Sequence, residues 1–328
     1  MAGLLYVSGE LIEASATCNR HLLAENESIR EPMESSNQQS RLLPVISLLL
    51  SATLWGVVWY PLRLLEQQGL AGLWSALLSF AAATTACLWI FIRERRMLAA
   101  NFRSLLLMSL AAGWCNVSFI IAVLDGNVVR ILLLFYLSPF WAVCLGWLLL
   151  GERLDGKSLL VFLVAVSGAF IMLWDDSLGY PWPNGRADWL AVSSGFSFAL
   201  SNVFVRKLQT VGVMLKSVST WIAVVTIAAF WIVQRGDAFP DVGHGVVLAA
   251  VALGLCGFLV MSLAVVYGVS RMPVHRSAVI LLFELVVGAV SSLLLTDEVI
   301  LVREWLGGGL IVLAAYVAAH IHAVSKTS

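Results

Sequence analysis

Glu284 sits in the middle of an apolar stretch, ILLFELVVGAV, that holds no other ionisable side chain. A carboxylate taken out of water costs several kcal/mol unless it is protonated, paired or wetted by a cavity. Two chemistries fit such a residue. It can exchange a proton or hold a substrate amine inside a membrane pathway, or it can make a hydrogen bond that packs helices. Trp55, Trp59, Trp114 and Tyr136 also lie deep in apolar stretches, as do the amides Asn116 and Asn202 and the hydroxyls Ser118, Ser138, Ser201 and Ser262. Serine commonly bonds its own helix backbone, so the amides are the better binding candidates. For each ring taken singly, packing or contact with lipid is the alternative reading.

Enzyme chemistry finds little support. A hydrolase or transferase needs a nucleophile beside a base, or clustered carboxylates and histidines, and Glu284 stands deep without such a partner. No catalytic residue is assigned. Cys87, Cys115, Cys144 and Cys256 fall in apolar runs without CxxC or Cys/His spacing, so no metal or disulfide framework is indicated. Gly307, Gly308 and Gly309 lie inside a span and lack a following Lys-Ser/Thr, which favours a helix-packing surface over a phosphate loop. No cofactor is implied.

The elements that must position these side chains follow from composition. Hydrophobic residues make up 60% of the 328 and charged residues 12%, with a mean hydropathy of +0.91, whereas soluble domains average about 45–50% apolar and about 25% charged. Runs near 20 residues, the length that crosses a hydrocarbon core of about 30 Å, number ten: residues 44–65, 70–92, 104–124, 128–150, 158–174, 188–205, 217–234, 246–269, 274–295 and 305–322. The chain therefore reads as an all-α membrane protein with ten transmembrane helices. Its connections are short, the longest being 175–187, so no soluble domain is inserted. A net charge of zero gives no electrostatic reason to expect nucleic acid.

Arginine and lysine set the orientation. One set of loops carries Arg93, Arg95, Arg96, Arg103, Arg153, Lys157, Arg206, Lys207, Lys216, Arg271, Arg276 and Lys326, while the other carries only Arg63, Arg130, Arg186, Arg235 and Arg303. The richer side is cytoplasmic, and both termini lie on it. Arg130 reads as a side chain snorkelling to the outer interface, with attraction of anionic groups as the alternative. Trp174, Trp182, Trp189 and Trp305 fall at span ends, where aromatic belts form. Residues 1–42 hold Glu10, Glu13, Glu25, Glu27, Glu31 and Glu34 without a long apolar core, and read as a disordered cytoplasmic tail. Met33 is as good a translation start as Met1, and the intact mass of the product decides between them.

The chain repeats itself. Shifted by 146 residues, Val128 and Arg130 fall on Val274 and Arg276, Glu152 on Glu298, Leu160 on Leu306 and Ala169 on Ala315. The charged matches carry the weight, since apolar helices share Leu and Ala by chance. A weaker echo sets Trp55–Arg63 against Phe198–Arg206, with Asn202 opposite Trp59. Five spans per half is an odd number, so the second half enters from the opposite side and the repeats are inverted. Inverted five-helix repeats are a device of secondary transporters, in which movement of one half against the other exposes a midplane site to each side in turn.

The run YLSPFWAVCLGWLLLGERLDGKSLLVFLVAVSGAFIMLW, Tyr136–Trp174, resembles the repeat of the EamA branch of the drug/metabolite transporter superfamily, and RMPVHRSAVILLFELVVGAVSSLLLTDEVILVREWLGGGLIVLAAYVAA, Arg271–Ala319, resembles its second copy. The features are Leu137 and Pro139 before a span centre, Leu150-Gly151-Glu152 at its end, Gly307–Gly309, and Trp55-Gly56 in the first span. The resemblance covers about residues 44–322. It departs where the second copy has Leu285 after Glu284 in place of proline, which bears on how the ninth helix bends, and where Leu295-Thr296-Asp297-Glu298 replaces L-G-E.

The resemblance implies ten helices, cytoplasmic termini and export of small metabolites or amino acids, often with ion coupling. It also implies a cavity lined by the first, third, fourth, sixth, eighth and ninth helices. Trp55, Trp59, Trp114, Asn116, Tyr136, Asn202 and Glu284 then become the substrate pathway, with Glu284 as the candidate for coupling to a proton. The expected organisation is a tail 1–42, repeats at 44–174 and 188–322, and a cytoplasmic tail 323–328. The expected function is a secondary transporter in a bacterial-type inner membrane, multi-pass, whose partners are a small-molecule substrate, the bilayer and a proton. The rival is a membrane sensor or assembly protein, and behind it an intramembrane enzyme.

Overall fold

The computed structural model describes residues 42–70, 72–174, 182–296 and 301–324, with side chains up to residue 320. The expectations for the leading tail, for Met33, for the first part of the 175–187 connection and for most of the closing tail lie outside these residues. Within Pro44–Ser328 the described residues form helices and short connections, with no strand among them. The long helices are α1 (Leu42–Gln67), α2 (Gly72–Arg93), α3 (Phe102–Asp125), α4 (Val128–Leu150), α5 (Gly156–Leu173), α6 (Arg186–Lys207), α7 (Val213–Arg235), α8 (His244–Arg271), α9 (Val274–Leu295) and α10 (Val302–Val324). The expected bounds of the fourth and ninth coincide with these.

Among the described residues, nine of the ten are long and apolar enough to cross a membrane. The exception is α6. Its 22 residues extend about 33 Å, enough to cross, but Ser193, Ser194, Ser197, Ser201 and Asn202 lower its hydropathy. A helix surrounded by other helices can carry such residues, because its neighbours rather than lipid meet them. Elsewhere apolar side chains face outward: Ile92, Val233 and Leu294 are at least 75% exposed. Trp174, Trp182, Trp189 and Trp305 are exposed as well.

The heaviest packing runs between the two halves of the chain. α6 lies along α3 and α4, α10 along α5, and α7 along α3 and α2. Lipid tails give helices no hydrophobic reason to associate, so small residues and hydrogen bonds do the work. Ser47 and Ser51 of α1 donate to the carbonyls of Ala264 and Met261 in α8, at 2.8 and 3.1 Å. In the counterpart pair, Ser194 of α6 donates to the Cys115 carbonyl of α3 at 2.8 Å, and Trp114 donates to Ser193 at 3.2 Å. α5 and α10 meet at glycine: a Cβ on Gly307 would stand 2.4 Å from the Gly168 carbonyl oxygen, and one on Gly168 would stand 2.7 Å from that of Gly307.

Both α4 and α9 lose their regular hydrogen-bond ladder near the middle. In α4 the interruption falls at Tyr136 and Leu137, where the N–H of Leu137 turns to the Leu134 carbonyl and that of Phe140 to Leu137. Pro139 explains it, since it has no N–H for the Phe135 carbonyl. In α9 the interruption falls at Leu282, and the N–H of Leu285 turns to the Leu282 carbonyl. Position 282 is position 136 shifted by 146. The ninth helix thus breaks at the repeat-equivalent place without the proline. α1 and α6 supply the close approach at each site: a Cβ on Gly56 would stand 2.7 Å from the Glu284 carbonyl oxygen, and one on Gly195 would stand 2.5 Å from that of Phe135.

Lys216 departs from its reading as a loop charge. α7 begins at Val213, earlier than expected, so Lys216 lies in its first turn, fully buried. Its ammonium donates to Ser270 Oγ at 2.6 Å and to the Leu208 and Val205 carbonyls at 3.2 and 3.4 Å. The last carbonyls of a helix have no partner within it, and a buried donor beside the end of α6 answers that need.

Asp155 caps α5, accepting from the N–H of Ser158 at 3.1 Å. The Ser158 hydroxyl and N–H hold its carboxyl below the usual aspartate range. Because the folded value is the lowered one, the stabilisation is present above about pH 4 and is lost as pH falls through the folded value. Asp155→Ala is expected to cost about 1 kcal/mol at neutral pH and less in acid. Thermal melts of the purified protein at two pH values measure this.

Candidate functional site

Tyr136, Asn202 and Glu284 line one cavity, at the break in α4, on α6 and at the break in α9. The Tyr136 hydroxyl donates to Glu284 Oε1 in a short hydrogen bond. Glu284 therefore has the partner that the sequence did not reveal, contributed by the other half of the chain. Ser138 and Pro139 of α4, with Phe135 and Phe198, complete the polar end and the aromatic wall. Phe135 stands between Tyr136 and Phe198, with ring centroids 5.3 and 5.7 Å away. The cavity measures about 20 Å³, room for a single water. An amino acid does not fit it in this conformation.

The other expected pathway residues lie elsewhere, among the described residues, and each finds a packing partner. Trp55 packs edge-on to Phe258 of α8, with centroids 5.6 Å apart. Trp59 donates from its indole N–H to Ser291 Oγ of α9 at 2.9 Å. Trp114 makes the bond to Ser193 and stands 6.4 Å from Trp231. Asn116 donates to the Ala112 carbonyl of its own helix at 2.9 Å. In the weak echo Asn202 and Trp59 are counterparts, yet only Asn202 reaches the cavity.

Two ion pairs stand at the ends of the α4–α6 contact. At the start of both helices, Arg130 Nε donates to Asp188 Oδ2 at 2.8 Å, with the side chains 12% and 10% exposed. The Asn184 N–H donates to the same carboxylate oxygen at 2.9 Å, and the Arg130 guanidinium also donates to the Trp182 carbonyl. Arg130 is thus enclosed rather than snorkelling, because Asp188 in the first turn of α6 supplies its counter-charge. Surface ion pairs contribute about 0–1 kcal/mol. Deleting one partner of a pair this enclosed leaves the other charge buried, at a cost of about 3–5 kcal/mol.

At the far end of both helices, Glu152 Oε1 accepts from Arg206 Nε at 3.3 Å. Glu152 Oε2 accepts from the N–H of Val274, the first residue of α9, at 2.8 Å, and Arg206 also donates to the Ser270 carbonyl at 3.0 Å. Asp188, Glu152 and Arg206 were not singled out for the site. The repeat had marked Glu152, and its counterpart Glu298 lies outside the described residues. Shifting Glu284 back by 146 lands on Ser138, so the repeat also pointed at the opposite wall of this cavity.

Comparison with known proteins agrees with this architecture. The EamA-like transporter family matches residues 42–174 and 185–319. Protein RarD of Streptomyces exfoliatus is 31% identical over 216 residues, 61% of this chain and 64% of that protein. A probable amino-acid metabolite efflux pump of Escherichia coli K12 is 27% identical over 190 residues, 55% of this chain and 63% of its own length. The chain spans just under two thirds of the length of these curated relatives. A solved crystal structure superposes with a TM-score of 0.69, covering 85% of this chain and 96% of that one at 16% identity, which supports the fold. With two family matches laid over two sets of five helices, the chain belongs to the EamA-like transporter family.

Proposed function

We propose that this protein is a secondary transporter that exports a small metabolite or amino acid by alternating access, using Glu284 as a proton-exchanging or amine-binding group. One observation carries the reading: Tyr136 of the first half and Glu284 of the second meet at the repeat-equivalent breaks of α4 and α9, on a small cavity. A carboxyl, a phenol, an amide and two phenyl rings suit a solute with an ammonium group and an apolar body. The named activity of the Escherichia coli relative supports export of amino-acid metabolites.

On this reading all ten helices cross a bacterial-type inner membrane, in halves 44–174 and 188–322, with both termini cytoplasmic. The heaviest helix packing runs across the halves, and that is the interface alternating access would rearrange. Trp55, Trp59, Trp114 and Asn116 take part in such a state only if their present packing bonds open.

Counterflow in proteoliposomes tests the proposal. Vesicles loaded with an unlabelled amino acid or related metabolite are expected to accumulate its labelled form transiently, in a protein-dependent and pH-dependent manner. Exchange of none of a broad panel of such solutes, by protein that remains folded, sinks the carrier reading in favour of a sensor or assembly role.

A further inference from the structure

We propose that the Arg130–Asp188 and Glu152–Arg206 pairs are two gates of the central cavity, opened alternately from opposite ends. The inference rests on the transporter reading and adds where the pathway closes. α4 and α6 lie side by side and run in the same direction, since their first turns pair through Arg130 and Asp188 and their ends pair through Glu152 and Arg206. Every residue these two helices give to the cavity falls between the pairs: Phe135, Tyr136, Ser138, Pro139 and Ala142 lie between 130 and 152, and Phe198 and Asn202 between 188 and 206. A solute leaving the cavity along this seam must pass one pair or the other.

Each pair also holds chain beyond its two helices. The Arg130 end grips the carbonyl of Trp182 and the N–H of Asn184, just before α6. The Glu152 end grips the first N–H of α9, the helix that carries Glu284, and the Ser270 carbonyl at the end of α8. Between them the backbones touch where Gly195 meets the Phe135 carbonyl. That contact is the close approach between the two pairs, with no room for a side chain, and it offers the pivot about which one end separates while the other stays shut. Both pairs are formed in this structure, and the cavity between them measures only about 20 Å³. A third pair, Arg235 with Asp125 at 3.4 Å, joins α7 to α3, two helices that give the cavity no lining residue, and its side chains are about a third exposed.

Thiol accessibility tests the gates without requiring a substrate. Ala278, which lines the cavity, is replaced by cysteine in a full chain whose own five cysteines are changed to alanine. A membrane-impermeant maleimide is then added to right-side-out or inside-out vesicles. Arg130→Gln is expected to raise labelling several-fold from the face that holds Arg130 and to leave the other face unchanged, and Glu152→Gln to do the reverse. The charge-exchanged double variant Arg130→Asp with Asp188→Arg is expected to restore protection. It also controls for misfolding, because labelling that stays high from both faces in the double variant overturns the proposal. So does labelling that rises equally from both faces, or from neither, in the single variants. If the gates behave as stated while no solute exchanges in counterflow, the carrier reading fails and the two-sided closure stands.

Discussion

Glu284→Gln is expected to remove the pH dependence of transport and to lower its rate roughly tenfold to a hundredfold, the loss of a charge-assisted hydrogen bond worth about 1.5–3 kcal/mol. Glutamine keeps the length of the side chain and can still accept from the Tyr136 hydroxyl, so the cavity should hold its shape. What it cannot do is exchange a proton or oppose an ammonium. The measurement is initial-rate counterflow across a range of pH, with Tyr136→Phe alongside. Tyr136→Phe removes the donor but leaves the carboxyl, so it should alter the pH profile while retaining one. A Glu284→Gln protein whose transport and pH profile match the parent assigns Glu284 to packing alone.

Gly307→Val is expected to destabilise the bundle although it lies away from the cavity. The new Cβ would meet the Gly168 carbonyl oxygen at 2.4 Å and the Met172 backbone N at 2.8 Å. Neither is the free end of a side chain that can swing aside. α5 and α10 must part along their contact, and overpacking of this kind costs about 1–3 kcal/mol or more. Gly309→Val supplies the control: it lies two residues on, is exposed, and a Cβ there meets nothing within 4 Å. Heating the detergent-solubilised proteins and measuring the soluble monodisperse fraction should separate the two variants. Equal losses would mean that valine itself, rather than the α5–α10 contact, causes the damage.

The helices were legible because lipid imposes a length and a polarity on each span, and 128–150 and 274–295 were read with the bounds they have. α6 shows the limit. Its serines and Asn202 are tolerable only because α3 and α4 enclose it, and enclosure is a property of the assembled bundle rather than of the segment. Lys216 was misread for the same reason, since a lysine near a helix start looks like a loop anchor until the unpartnered carbonyls of another helix are placed beside it.

Among the pathway candidates, residue type selected polar and aromatic groups without saying which way each one turns. Asn116 and Asn202 are equally good amides in sequence, yet one bonds its own helix and the other reaches the cavity. Trp59 and Trp114 spend their indole donors on Ser291 and Ser193, partners far away in sequence. Asp188 and Arg206 looked like helix-end charges until α4 and α6 proved to be neighbours.

The breaks in α4 and α9 look alike but differ in reversibility. Pro139 removes the N–H that would mend the ladder of α4, so its elbow is permanent whatever state the protein adopts. Leu285 keeps its N–H and only redirects it to Leu282. Drawing that bond back by one residue would straighten α9 without the loss of a hydrogen bond. The near-symmetric bundle therefore has one rigid elbow and one that can relax, and the relaxing one carries Glu284.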